Sequence, residues 1–90
     1  MRMDEAEPRL RELGIGRWHY SIGAAVEGKF CAVGAGDAWE LFFLANGRKE
    51  ELYRPISEED AARFFVQRFE TQRAHYVRMG MDLRRLARDE

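Results

Sequence analysis

The sequence predicts an α+β domain: a small antiparallel sheet of three to four strands, with a short N-terminal helix and a long C-terminal helix packed on it. Three observations lead there. Asn46-Gly47 sits between two β-prone runs, where both central positions of a tight hairpin turn need positive φ. Ser57-Glu58-Glu59-Asp60 is a capping signal, and the apolar residues after it recur at helical spacing. At 90 residues, with 46% apolar and 34% charged types, the chain has the balance of one folded domain over 1–90 and too many hydrophobes for disorder.

The elements follow in order. Residues 4–13 read as the short helix, with Asp4 as N-cap, Pro8 admissible in the first turn, and Leu10 and Leu13 on one face. Gly14 followed by apolar Ile15 is its stop. The sheet occupies 17–55. Trp18 to Ile22 is a short strand ended by Gly23, and Val26 to Val33 is a second with a turn at Gly28-Lys29. Gly34-Ala35-Gly36-Asp37 reads as a loop, Trp39 to Leu44 as the strongest strand, and Arg48 to Arg54 as its return. The long helix is expected over 58–88 with a kink at Gly80. Ala61, Ala62, Phe65, Phe69 and Tyr76 are its inner face, and Leu83 and Leu86 lie on one side beyond the kink.

A two-residue turn at 46–47 sets Leu41 opposite Leu52, Phe42 opposite Glu51 and Glu40 opposite Tyr53. Alternation then assigns Trp39, Leu41, Phe43 and Leu52 to the face under the long helix, and Glu40, Phe42, Leu44, Glu51 and Tyr53 to the other. The second set combines large apolar groups with a charged rim. Two explanations are open: the N-terminal helix or the tail covers it, or it is a partner-binding patch with aromatic anchors.

Composition excludes several classes of function. Fifteen basic and sixteen acidic residues leave a net charge of −1, so nothing draws the whole chain to nucleic acid or anionic lipid. The charge is uneven, however: residues 27–60 hold eight acids and four bases (−4), and residues 61–90 hold seven arginines and four acids (+3). Arg63, Arg68, Arg73 and Arg78 spiral around a helix instead of forming one stripe, and Arg78, Arg84, Arg85 and Arg88 make a denser basic end whose interleaved acids argue against a nucleic-acid groove. No apolar run approaches the roughly 20 residues of a membrane span, and the polar, acidic opening is unlike a secretory signal. A cytoplasmic location is the expectation.

Catalytic chemistry finds little support. His19 and His75 have no local companion for a metal site or a triad. Cys31 is alone in an apolar strand and reads as packing. Glu50 and Glu51 are adjacent on a strand and point apart, which is wrong for an acid–base pair. No catalytic, cofactor-binding or metal-ligating residue is assigned, and no cofactor.

Leu10-x-x-Leu13-Gly14-Ile15, Tyr20-Ser21-Ile22-x-Gly, Trp39-Glu40-Leu41-Phe42-Phe43 with the Gly47 turn, and Ser57-Glu58-Glu59-Asp60-Ala61 with Phe64-Phe65 occur in a consistent order over roughly residues 10–69. In that order they resemble small immunity proteins found beside polymorphic toxins of high-GC bacteria. Ile56 stands where that group has an aromatic, Ala62 where it often has a cysteine, and the tail from Glu70 is longer. The resemblance implies a non-catalytic inhibitor of a cognate protein toxin. Its partner-binding residues are expected to be Glu40, Phe42, Leu44, Glu50, Glu51 and Tyr53. The alternative expectation is a self-associating interaction module, a homodimer through the C-terminal helix with Tyr76, Met79, Met81, Leu83 and Leu86 at its seam.

Overall fold

The computed structural model describes residues 1–35 and 38–90. It is an α+β fold. A four-stranded sheet of order β1-β2-β3-β4, formed by Tyr20–Ile22, Phe30–Ala35, Ala38–Ala45 and Arg48–Tyr53, carries α1 (Ala6–Glu12) and α2 (Glu58–Arg78). Both helices pack on the same side. Ala6 and Leu10 of α1 join Ala61, Ala62, Phe65, Val66 and Phe69 of α2 in one buried cluster with Tyr20, Phe30, Ala32 and Leu41 of the sheet.

Local chemistry explains the helix ends. Ser57 Oγ accepts from the Asp60 N–H at 3.0 Å, and Glu58, Glu59 and Asp60 sit at the positive end of the helix dipole. Both helices stop in the same way. The Gly14 N–H donates to the Arg11 carbonyl and the Ile15 N–H to that of Leu10; the Gly80 N–H donates to Val77 and the Met81 N–H to Tyr76. Each glycine is in the left-handed region, φ 77° and 67°, and each is followed by an apolar residue, which makes both ends Schellman motifs. Gly80 therefore terminates the helix, where the sequence predicted a kink within a helix running to 88. Residues beyond it turn back through a 3-10 turn at Leu83–Arg85 and bring Leu86 into the core at 1% exposure.

The tail is held against the segment before β1. The Gly16 N–H donates to the Leu86 carbonyl, the Trp18 N–H to that of Arg88 at 3.0 Å, and the Arg17 N–H to Asp89 Oδ1 at 3.0 Å. Arg88 stacks over the Trp18 ring at 3.9 Å.

In the sheet, β2–β3 and β3–β4 are antiparallel, whereas β1 pairs with β2 in parallel, Tyr20 beside Phe30 and Ile22 beside Ala32. The first pair thus departs from the all-antiparallel expectation. Parallel neighbours ordinarily need a long crossover; here residues 23–29 suffice, because Gly23 and Gly28, at φ 101° and 78°, turn the chain back to its starting level. The predicted turn at Gly28-Lys29 thus lies before β2, not inside it. Of the predicted loop 34–37, Gly34 and Ala35 complete β2, while Gly36 and Asp37 lie outside the described residues.

The Asn46-Gly47 turn holds as expected, with φ 53° and 74° and Ala45 opposite Arg48. Past Phe43–Glu50 the register slips: Leu41 pairs with Tyr53, not Leu52. The additional residue in β4 is taken up at Glu51, which adopts φ 54°, so the strand carries a β-bulge. Every side chain beyond the bulge changes face. Tyr53 joins the helical side, stacked on Phe64 with ring centroids 4.2 Å apart, and Leu52 is turned out at 41% exposure. Arg68 fixes Glu51 in this conformation, its Nε and Nη2 both donating to Oε2 at 3.0 and 2.8 Å, while its guanidinium lies 4.1 Å over the Phe30 ring.

Candidate protein-binding face

With both helices on one side, the opposite face of the sheet is left to the side chains that alternate away from the core. Leu41 is buried in the core, so its neighbours Glu40 and Phe42 point outward, as does Leu44. Cys31, paired with Phe42 across β2–β3, points outward too.

Neither the N-terminal helix nor the tail covers this face. The connection between β1 and β2 covers part of it. The Val26 N–H lies 3.3 Å from Cys31 Sγ, and the thiol is within reach of the Val26 and Lys29 carbonyls, so Cys31 is completely buried beneath this segment. It is packing material as expected, but under a loop and not in the helix-side core. Glu27 reaches the Gly47 N–H at 3.2 Å and ties the same segment to the hairpin turn.

A row of charges crosses the remainder. Lys49 Nζ passes 4.9 Å over the Phe42 ring and donates to Glu40 Oε1 at 2.8 Å; Arg54 Nε donates to Glu40 Oε2 at 3.0 Å. These two cations, Lys49 first, hold the Glu40 carboxyl below the usual carboxylate range. Leu44, half-buried, and Leu52, exposed, stand on the same face.

The six residues singled out from sequence do not form one surface. Glu40 and Leu44 lie on the outer face, and Glu50 and Glu51 are exposed on β4. Phe42 points outward but is 1% exposed, sealed by Lys49, so its ring is not an open anchor and a charged replacement there would disturb folding. Tyr53 is on the helical side because of the bulge, and Glu51 is turned to Arg68. Leu52 is the outer-face residue that alternation without a bulge misassigned and Arg54 the one it left aside, whereas Lys49 stands in the charged rim as expected. Of the expected dimer seam, Leu86 is buried in the chain's own core and Tyr76 is partly buried against it. Among the described residues no group of His, Cys, Asp and Glu is placed to hold a metal ion, and no helix is long and apolar enough to cross a membrane.

Tyr53 nevertheless has a definite role. Its hydroxyl donates to Asp60 Oδ2 at 2.8 Å, tying β4 to the first turn of α2. Asp60 is held below its ordinary value of 3.8 by this bond first, with help from the Ile56 N–H and Arg63; Tyr53 is raised above 10.0 by the same bond. A depressed carboxyl stabilises the fold above pH 3.8 and loses that contribution as pH falls through its folded value; a raised phenol loses its contribution as pH climbs past 10.0. Tyr53→Phe is therefore expected to flatten the stability profile at both ends. Denaturant unfolding across pH checks this, and unchanged slopes would contradict it.

No family model, no curated protein and no solved structure matches this chain.

Proposed function

We propose that this protein is a non-catalytic inhibitor, an immunity protein that binds and neutralises a cognate bacterial toxin in the cytoplasm of the cell that makes it. The observation that carries the reading is the sheet face opposite the helices, with the Lys49–Glu40–Arg54 charge row flanked by Leu44 and Leu52. Charged side chains fixed by one another lose little freedom on docking, and the leucines beside them supply apolar contact, the composition of an interface with a polar rim. The order of motifs over residues 10–69, which resembles small immunity proteins, supports the same reading. So does the excess of acids in residues 27–60, eight against four bases, which would steer a basic partner to the sheet end of the molecule.

Inhibition on this reading is steric. The toxin is held against the sheet and its reacting groups are occluded, with no bond made or broken by the inhibitor. The test is co-expression with the product of the neighbouring reading frame. Co-purification and restored growth are the expected result; a harmless neighbour that does not bind would defeat the proposal.

A further inference from the structure

The end of α2 presents a second surface, independent of the sheet face. Val77, Met79, Met81 and Leu83 are 54%, 63%, 36% and 39% exposed within seven consecutive positions. They cannot fold away. The Schellman motif at Gly80 fixes the turn, and the pairing of Leu86 and Arg88 with Gly16 and Trp18 pins the chain beyond it. Next to them is a cleft of Leu13, Leu83, Leu86 and Ala87, an apolar floor with Arg73 and Arg84 on its rim.

The charge around this patch is mostly positive. Residues 72–90 contain five arginines and three acids, a net of +2, and Asp82 is already engaged by Arg84 at 2.9 Å. Arg73, Arg78 and Arg85 make no ion pair among the described residues. A second copy meeting this patch about a two-fold axis would bring Arg73, Arg78 and Arg85 against their own copies, which disfavours self-association here. A bilayer surface is anionic but flat and does not fill a cleft. A protein segment with acidic groups beside large apolar side chains satisfies both features, and methionines suit such a surface because their flexible thioethers repack around what docks.

We propose that the C-terminal end of α2 and the returning tail form a docking surface for an acidic amphipathic segment of another protein. Its apolar side chains enter the Leu13–Leu83–Leu86 cleft and its carboxylates meet Arg73, Arg78 and Arg85.

The test uses the full chain and a fluorescent helical peptide of about 16 residues, with Leu at i, i+3, i+4 and i+7 and Glu beside them. Fluorescence anisotropy should show binding that weakens as salt rises. It should weaken about tenfold or more in Arg73→Glu/Arg78→Glu, and likewise in Arg78→Glu/Arg85→Glu, both at exposed positions, with thermal melts confirming that each variant is folded. A peptide with Lys in place of Glu should not bind, and Leu44→Glu/Leu52→Glu should bind the acidic peptide normally, which separates this surface from the sheet face. Equal binding of the two peptides, or no loss in the arginine variants, overturns the proposal. So does a full-length dimer that Leu83→Glu dissociates, or a preference for phosphatidylserine vesicles over the peptide.

Discussion

Replacing Phe65 with alanine is expected to remove about 3–5 kcal/mol of stability, the usual loss for a buried phenylalanine. Phe65 is fully buried where α2 meets the sheet. Its ring stacks on Phe30 at 5.4 Å and meets Phe69 at 5.6 Å and Tyr20 at 6.2 Å edge-on, so one truncation opens a void against three rings on three elements. A domain of this length holds on the order of 5–13 kcal/mol in total. The melting temperature should fall by more than about 12 °C. Phe64, half-buried and stacked on Tyr53, provides the comparison: Phe64→Ala should cost clearly less. Thermal and denaturant melts measure both, and a Phe65→Ala loss under about 1 kcal/mol would mean that α2 does not dock as described.

Gly16→Ala is expected to be the most damaging single-methyl addition. Gly16 is buried, and a Cβ there would collide with the backbone carbonyls of Ala87 and Arg88. Backbone cannot swing aside as a side chain can, so the tail must leave, taking Leu86 out of the core and Arg88 off the Trp18 ring. Exposing one buried leucine costs about 2–3 kcal/mol. Leu86→Ala should cost a similar amount by another route, and the double variant should cost much less than the sum, since the tail can be released only once. Protease cleavage beyond Gly80 and a change in Trp18 fluorescence should accompany the loss. Full additivity would show that the tail and Gly16 act separately.

Much of the fold was legible because its signals are local. The Ser57 cap, the Asn46-Gly47 turn, the Gly14-Ile15 stop and the spacing of Ala61, Phe65 and Phe69 each depend on a few neighbouring residues. Gly80-Met81 has the same glycine-then-apolar pattern as Gly14-Ile15, and that signal for a true helix end was present in the sequence. The parallel β1–β2 pair was not legible, because the Gly23–Lys29 return imitates a hairpin connection. The bulge was hidden for a different reason. Glu51 is a poor residue for φ 54°, and what holds it there is Arg68 on α2, a contact far along the chain. That one displaced residue exchanged the faces of Leu52 and Tyr53, so the candidate surface kept Glu40 and Leu44, lost Tyr53 and gained Leu52. Phe42 faced outward as expected, but Lys49 closes over it, and alternation along a strand carries no information about such a cover.

The most direct measurement of the central claim is growth rescue by Leu44→Glu/Leu52→Glu during co-expression with the neighbouring reading frame's product, alongside the unaltered protein. Both side chains point away from the core, Leu52 exposed and Leu44 half-buried, and a thermal melt establishes that the variant is folded before rescue is scored. The parent should restore growth and co-purify with the toxin, and the folded variant should do neither; a folded variant that rescues as well as the parent would contradict the assignment of the sheet face.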